Sequence, residues 1–273
     1  MAKAESGVYT TLTIEIRDAI ALVALARPEM HNAFNETLIA ELTAALVALD
    51  ANDAIRVVVL RGEGRSFCAG ADLNWMKTMA GYTHAENLAD AKGLAAMLGT
   101  LYRLTKPTIA RVQGAAFGGG VGLVACCDIA IAAQDATFSL SEARLGLIPA
   151  TIGPYVVEAI GARAAHRYFL TAERFTAAEA LRIGLVHEVV AADELDARIN
   201  AMLATLLVAG PNAQAAAKRL IDAVAHRPID DAVVADTAER IADIRASAEG
   251  REGVAAFLGK RDAAWVPAGL KQR

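Results

Sequence analysis

The sequence lacks the patterns that mark a disulfide scaffold or a metal centre. It has three cysteines, Cys68, Cys126 and Cys127, two of them adjacent; an odd count with that spacing is no disulfide framework and reads as small, reduced core residues. The five histidines are scattered, none in HExxH or a zinc-type spacing with cysteine, so no metal is expected. No Lys/Arg cluster is present and the net charge is −4, which argues against a nucleic-acid partner. No uninterrupted apolar run reaches the roughly 18 residues of a membrane span. Residues 1–13 carry Glu5 and polar side chains in place of a signal-peptide core, so a cytoplasmic location is the expectation. There is neither a GxxxxGK[ST] phosphate loop nor a GxSxG nucleophile turn.

The 273 residues, 55% hydrophobic and 21% charged, suffice for a well-buried core and are too apolar for disorder. Residues 11–16 and 19–25 read as a hairpin turning at Arg17-Asp18. Leu38, Ile39, Leu42, Leu46 and Leu49 recur at helical spacing, giving an amphipathic helix over 36–50 with Asn35 as its N-cap. RVVVL (56–60) is a short buried strand. Helices are expected at 86–104 and 118–126, and strands at 107–112, 128–132, 136–140 and 185–190. Thr176-Ala-Ala-Glu179 reads as a capping box opening a helix that stops near Gly184. From about 193 the strand signals cease, and helices are expected near 193–208, 212–224 and 229–248. The chain therefore reads as an α/β core over 1–192 and a helical region over 193–273. Alternation alone does not choose between a doubly wound sheet and a stacked spiral of ββα units.

Three segments stand out for chemistry. Ser66-Phe67-Cys68-Ala69-Gly70-Ala71-Asp72-Leu73 runs from a strand through small residues to a helix start at Asp72. Such a turn lets a ligand approach the backbone and offers free N–H groups. Gln113 to Gly122 is a glycine cluster between a strand and a helix; it lacks the GxGxxG spacing of a dinucleotide loop. Ser139 to Pro149 places Glu142 after a short strand among apolar neighbours, as a surface group, an ion-pair partner of Arg144 or a general acid/base. Taken singly, each segment reads as ordinary architecture.

In combination they resemble the crotonase (enoyl-CoA hydratase/isomerase) family. The matching stretches are FCAGADL (67–73), KPTIARVQGAAFGGGVGLVACCDIAIA (106–132), FSLSEARLGLIPATIG (138–153) and EGREGVAAFLGKR (249–261). The resemblance implies an α/β crotonase-type spiral of ββα units with a C-terminal helical region in oligomer contacts, assembling as a homotrimer or homohexamer. It implies an acyl-CoA substrate and no separate cofactor, coenzyme A being part of the substrate. It assigns the thioester oxygen to the backbone N–H groups of Ala71 and Gly119, where a Cβ at Gly119 would obstruct the ester, and makes Glu142 the acid/base. It assigns coenzyme A contacts to Arg27, Ala33, Ala69 and Leu73, and to Phe257 and Lys260 of the tail. Trp75, Met76 and Met79 fall where the acyl pocket or the core would take them.

The resemblance breaks at Gly122, where family hydratases carry a first glutamate. A single glutamate suits a double-bond isomerase. However, SFCAG (66–70), GLVACCDIAIA (122–132) and SEARLGLIPA (141–150) look more like hydratases of branched glutaconyl-type thioesters in leucine and acyclic-terpene breakdown. Arg144 is then a candidate partner for the substrate's second carboxylate. Dienoyl-CoA isomerases of the family place Asp where this chain has Ala150. The expectation is thus hydration of an α,β-unsaturated acyl-CoA through an enolate, against isomerisation by Glu142 alone or a non-catalytic relative that binds CoA esters or RNA.

Overall fold

The computed structural model describes residues 9–271. The chain forms two compact units: one runs to Leu104 and resumes over Thr108–Ile199, the other takes Thr105–Pro107 and the chain from Asn200 onward.

The first unit opens with the hairpin β1 (Leu12–Arg17) and β2 (Ile20–Leu25), antiparallel with Arg17 opposite Ile20; Asp18 takes a left-handed conformation at the turn. Helix α1 (Glu36–Ala51) buries Leu38, Ile39, Leu42, Leu46 and Leu49, and the Asn35 side chain caps it by accepting from Leu38 N–H. β3 (Val57–Gly62) follows, then α2 (Leu73–Met79) and α3 (His84–Tyr102). Next come β4 (Thr108–Val112), β5 (Ala115–Phe117) and α4 (Gly119–Cys126), then β6 (Ile129–Ala133), β7 (Thr137–Ser139) and α5 (Gly153–Thr171). β8 (Arg174–Thr176), α6 (Ala177–Arg182) and β9 (Glu188–Val190) end the alternation.

The strands sort into two sheets. One has the order β1-β2-β3-β4-β6-β9, parallel from β2 onward; the other has the order β5-β7-β8. Consecutive strands β4 and β5 lie in different sheets, as do β6 and β7, and each pair is followed by a helix. The turn after β3 repeats this pattern in miniature, since Cys68 bridges Ala116 in parallel beside β5. Each turn of the chain thus adds one strand to each sheet and then a helix, which is a spiral of ββα units; a doubly wound fold would hold its strands in one sheet. A single apolar core fills this unit, with Phe34, Phe67, Phe138 and Tyr168 fully buried. All three cysteines are buried and none is in a disulfide, and burial pushes the Cys68 thiol up to about 12.

Several elements differ from the sequence reading. The long helix α5 starts at Gly153-Pro154 and is interrupted at Gly161, whose φ of +71° is non-helical. At Thr176 only half of the capping box forms. Its side chain accepts from Glu179 N–H, but the Glu179 carboxylate is engaged by Arg182 and the Tyr168 hydroxyl instead. The C-terminal region holds four helices rather than three: α7 (Leu195–Val208), α8 (Pro211–Val224), α9 (Asp231–Ala246) and α10 (Ala248–Leu258). Ser247 separates the last two by capping α10 through Gly250 N–H.

Candidate active site

Three neighbouring parallel segments of the small sheet end together, and a candidate group stands just past each. Ala71 follows the Cys68 bridge, Gly119 follows β5, and Glu142 follows β7. The carboxyl ends of parallel strands are where α/β folds commonly bind ligands.

The Ala71 N–H is left open by strand geometry. Ala71 and Phe34 form a parallel bridge in which Phe34 N–H donates to Gly70 O (2.6 Å) and Asp72 N–H donates to Phe34 O (2.8 Å). In an extended chain successive peptide groups face opposite edges, so the Ala71 N–H faces away from Phe34. No described acceptor takes it. Gly119 is the first residue of α4, whose leading N–H groups have no helical partner, and its N–H is likewise unpaired among the described residues.

Glycines let the two segments abut. Cys68 N–H donates to Ala115 O and Phe117 N–H to Cys68 O (3.0 and 2.9 Å), while Gly118 N–H donates to Ser139 O (2.8 Å). Gly118 has φ +49° and ψ −118°, a conformation closed to residues with a side chain. A Cβ at Gly120 would stand 2.3 Å from Cys68 O. At Gly119 a Cβ would meet the Phe34 ring at 2.4 Å. That side of Gly119 is filled by packing with Phe34, which itself lines the cleft.

Glu142 lies in a 3-10 turn, Ser141–Leu145, closed by Gly146 in the left-handed region. Its Oε1 is 3.1 Å from where a Gly118 Cβ would be, and its Oε2 is buried without a hydrogen-bond partner. Burial pushes its pKa above the ordinary glutamate value, against a smaller opposing pull from its own backbone N–H. No ion pair joins it to Arg144, which is exposed.

A cleft of ≈ 480 Å³ contains all three groups. Its walls include Ala69, Leu73, Trp75, Met76 and Met79, and on the far side Leu147 to Ile152. Asn87, Asp90, Ala91 and Leu94 bring one face of α3 to it. Among the described residues, the ionisable side chains in the lining are Glu142 and Asp90. A more open groove of ≈ 670 Å³ along α5 and α6 holds none of the candidate groups.

Gly122 is buried in α4, and its missing side chain is replaced in space by Ile152. A Cβ there would lie 2.2 Å from Ile152 Cγ2 and 3.6 Å from Leu98 Cδ2. The departure at Gly122 is therefore a packed apolar contact, with no room for a carboxylate.

The expected coenzyme A contacts divide into three groups. Ala69 and Leu73 line the cleft, Leu73 exposed at its edge. Arg27 and Ala33 do not line it: the Arg27 guanidinium donates to Ala33 O (2.5 Å) and pairs with Asp72 (2.7 Å). Burial would raise the Asp72 carboxyl, but Arg27 and the Asn74 N–H more than offset this and leave it below the usual carboxylate range. Asp72 caps α2 through that Asn74 N–H, so the pair fixes the helix start next to Ala71. Phe257 is exposed near the end of α10, and Lys260 follows it in the left-handed region. Asp90 was missed by sequence reasoning; its place at i+3 from Asn87 and i−4 from Leu94 was the available signal.

Comparison with known proteins accords with this architecture. The family described as enoyl-CoA hydratase/isomerase matches residues 15–267. The chain is 34% identical to a "probable enoyl-CoA hydratase" of Mycobacterium tuberculosis, over 93% of this chain and 96% of that protein. It is 31% identical to a crotonyl-CoA hydratase of Syntrophomonas wolfei, over 94% and 98%. The crystal structure of an enoyl-CoA hydratase from Shewanella pealeana superimposes with a TM-score of 0.91 at 44% identity, covering 94% of this chain and 96% of that one. With its spiral of ββα units and helical C-terminal region, the chain has the crotonase fold and belongs to the enoyl-CoA hydratase/isomerase family.

Proposed function

We propose that this protein hydrates an α,β-unsaturated acyl-CoA thioester through an enolate. The thioester oxygen lies between the N–H groups of Ala71 and Gly119, and Glu142 carries the proton to carbon. The observation that carries this reading is the meeting, in one cleft, of two unpaired backbone N–H groups and a desolvated carboxyl. Donors fixed in advance at the oxygen stabilise charge that develops on the way to the enolate, and loss of one such donor typically costs ~100–1,000-fold in rate. A carboxyl raised by burial holds a proton closer to neutral pH, which suits an acid. The names of relatives favour hydration.

Within this activity, a branched glutaconyl-type substrate is supported by the resemblance of the segments 66–70, 122–132 and 141–150. No Lys or Arg among the described residues lines the cleft, so Arg144 is not offered as the partner of a second substrate carboxylate. Isomerisation of the acyl double bond is the second reading, favoured by Ile152 filling the space beside Gly122. A homotrimer or homohexamer is the assembly proposed with either activity.

Mass spectrometry on crotonyl-CoA, 3-methylglutaconyl-CoA and a 3-enoyl-CoA separates these readings. Gain of one water on an enoyl ester is the expected result, and the fastest ester identifies the acyl class. A moved double bond without mass change would establish the isomerase. Binding of esters with no product would leave a non-catalytic protein.

A further inference from the structure

Adding water across a double bond moves two protons: one leaves the water and one arrives at carbon. Glu142 is placed for the second. The position beside it in α4 is closed, because Ile152 occupies the space a side chain at Gly122 would need. Among the described residues, the cleft contains one other titratable side chain, Asp90.

Asp90 interrupts an otherwise apolar or neutral face of α3, between Asn87 and Ala91–Leu94. Its position is held from across the cleft wall: the indole N–H of Trp75, itself buried, donates to Asp90 Oδ1 (3.2 Å). That bond ties the carboxylate to a side chain of the cleft wall, although Asp90 also borders a groove between α1 and α3 that holds Glu36. Oδ2 accepts no hydrogen bond from any described residue. No cation pairs with Asp90 among the described ion pairs. An ion-paired carboxylate would be bland, whereas one without a cation partner, held by a cleft-wall indole and lining the cleft, is a functional candidate.

We propose that Asp90 is the second carboxylate of the hydration, the base that takes a proton from the adding water; this rests on the hydratase reading above. The water O–H bond breaks, with its proton passing to Asp90 Oδ2 and its electron pair forming the C–O bond at Cβ. The Cα=Cβ pair moves into the enolate, whose oxygen faces the N–H groups of Ala71 and Gly119. The enolate then takes the proton of Glu142 to form the Cα–H bond. Asp90 ends protonated and Glu142 ionised, and proton exchange with solvent resets both. Trp75 is the positioning residue for Asp90. Burial raises the Asp90 carboxyl above its usual value, against the Trp75 hydrogen bond, which is the direction a stronger base requires.

The test is Asp90→Asn, which keeps an oxygen to accept from Trp75 while removing the base. On the enoyl-CoA that the wild type hydrates fastest, kcat is expected to fall about 100-fold or more. Affinity for the matching saturated acyl-CoA, measured by calorimetry, is expected to stay within about threefold of the wild type, since no ground-state contact is lost. Turnover within about threefold of the wild type would overturn the assignment of Asp90 and leave the hydratase reading standing. Loss of turnover and affinity together would make Asp90 a packing group of the cleft wall, which also overturns it. A wild type that hydrates no enoyl ester would instead overturn the hydratase reading, and this inference with it.

Discussion

At the scale of single residues, the argument turns on Glu142. Its Oε2 has no partner in the protein and its carboxyl is raised by burial, so the fold holds it protonatable rather than tied down. Glu142→Gln keeps the shape and removes the proton. Turnover of the preferred ester is expected to fall by about 10²–10⁴-fold, with affinity for the saturated ester little changed, as measured by steady-state kinetics and calorimetry. Turnover at the wild-type level would take Glu142 out of the mechanism. Glu142 was legible in the sequence as one of three readings, and the structure removes the Arg144 ion pair from among them. The oxyanion candidates were legible only through resemblance, because a free N–H is a property of backbone direction. Nothing in the letters at Ala71 shows that Phe34 bonds the flanking residues and leaves Ala71 facing away. Asp90 was illegible for a similar reason: an aspartate on a helix is usually solvated, and its Trp75 partner lies fifteen residues earlier.

At the scale of elements, legibility followed length and punctuation. α1 was read to within a residue at its C-terminal end, since its apolar stripe and Asn35 cap are both local signals. The strands β5 and β8 have three residues each, too few for alternation to register. α5 escaped because Gly153-Pro154 at its start and Gly161 within it read as turn residues, while Gly161 in fact divides two helical stretches. The contact between α4 and the segment entering α5 explains the departure at Gly122, thirty residues from Ile152. It also fixes what restoring a glutamate would do. Gly122→Glu alone forces a side chain onto Ile152 Cγ2, 2.2 Å from its Cβ. Overpacking of this kind costs ~1–3 kcal/mol, and the variant is expected to melt lower than the wild type without gaining activity. Combining it with Ile152→Gly empties the occupied space and is expected to recover part of the lost melting temperature by scanning fluorimetry. If Gly122→Glu alone proved as stable as the wild type, the packing account of this position would be wrong.

At the scale of the whole molecule, placing the site at the ends of adjacent strands has a measurable cost. The spiral brings three strand ends together, and the carboxyl it carries there is desolvated, with one oxygen left without a partner and only its own backbone N–H to offset the burial. The folded state therefore prefers Glu142 protonated, so its pKa is higher folded than unfolded. By linkage, stability from this group is fully present below the unfolded pKa and is lost as pH rises through the folded value. Wild-type stability should thus decline on going from the ordinary glutamate range toward its raised value, then level off. Glu142→Gln removes that decline. Its amide still places a polar atom at the same position, so the gain comes only from losing the ionisable carboxyl, and the partial exposure of the residue keeps it to about 1 kcal/mol or less. With roughly 2–4 °C per kcal/mol for chains approaching this size, the variant is expected to melt on the order of 2 °C above the wild type at neutral pH. The two should converge at pH well below the ordinary glutamate range, where the carboxyl is protonated in both the folded and the unfolded chain. Equal melting temperatures across the whole range would mean that Glu142 is solvated in the folded protein. In that case the same carboxyl would have no raised pKa to bring to catalysis, so a thermal melt series bears directly on the chemistry proposed for the cleft.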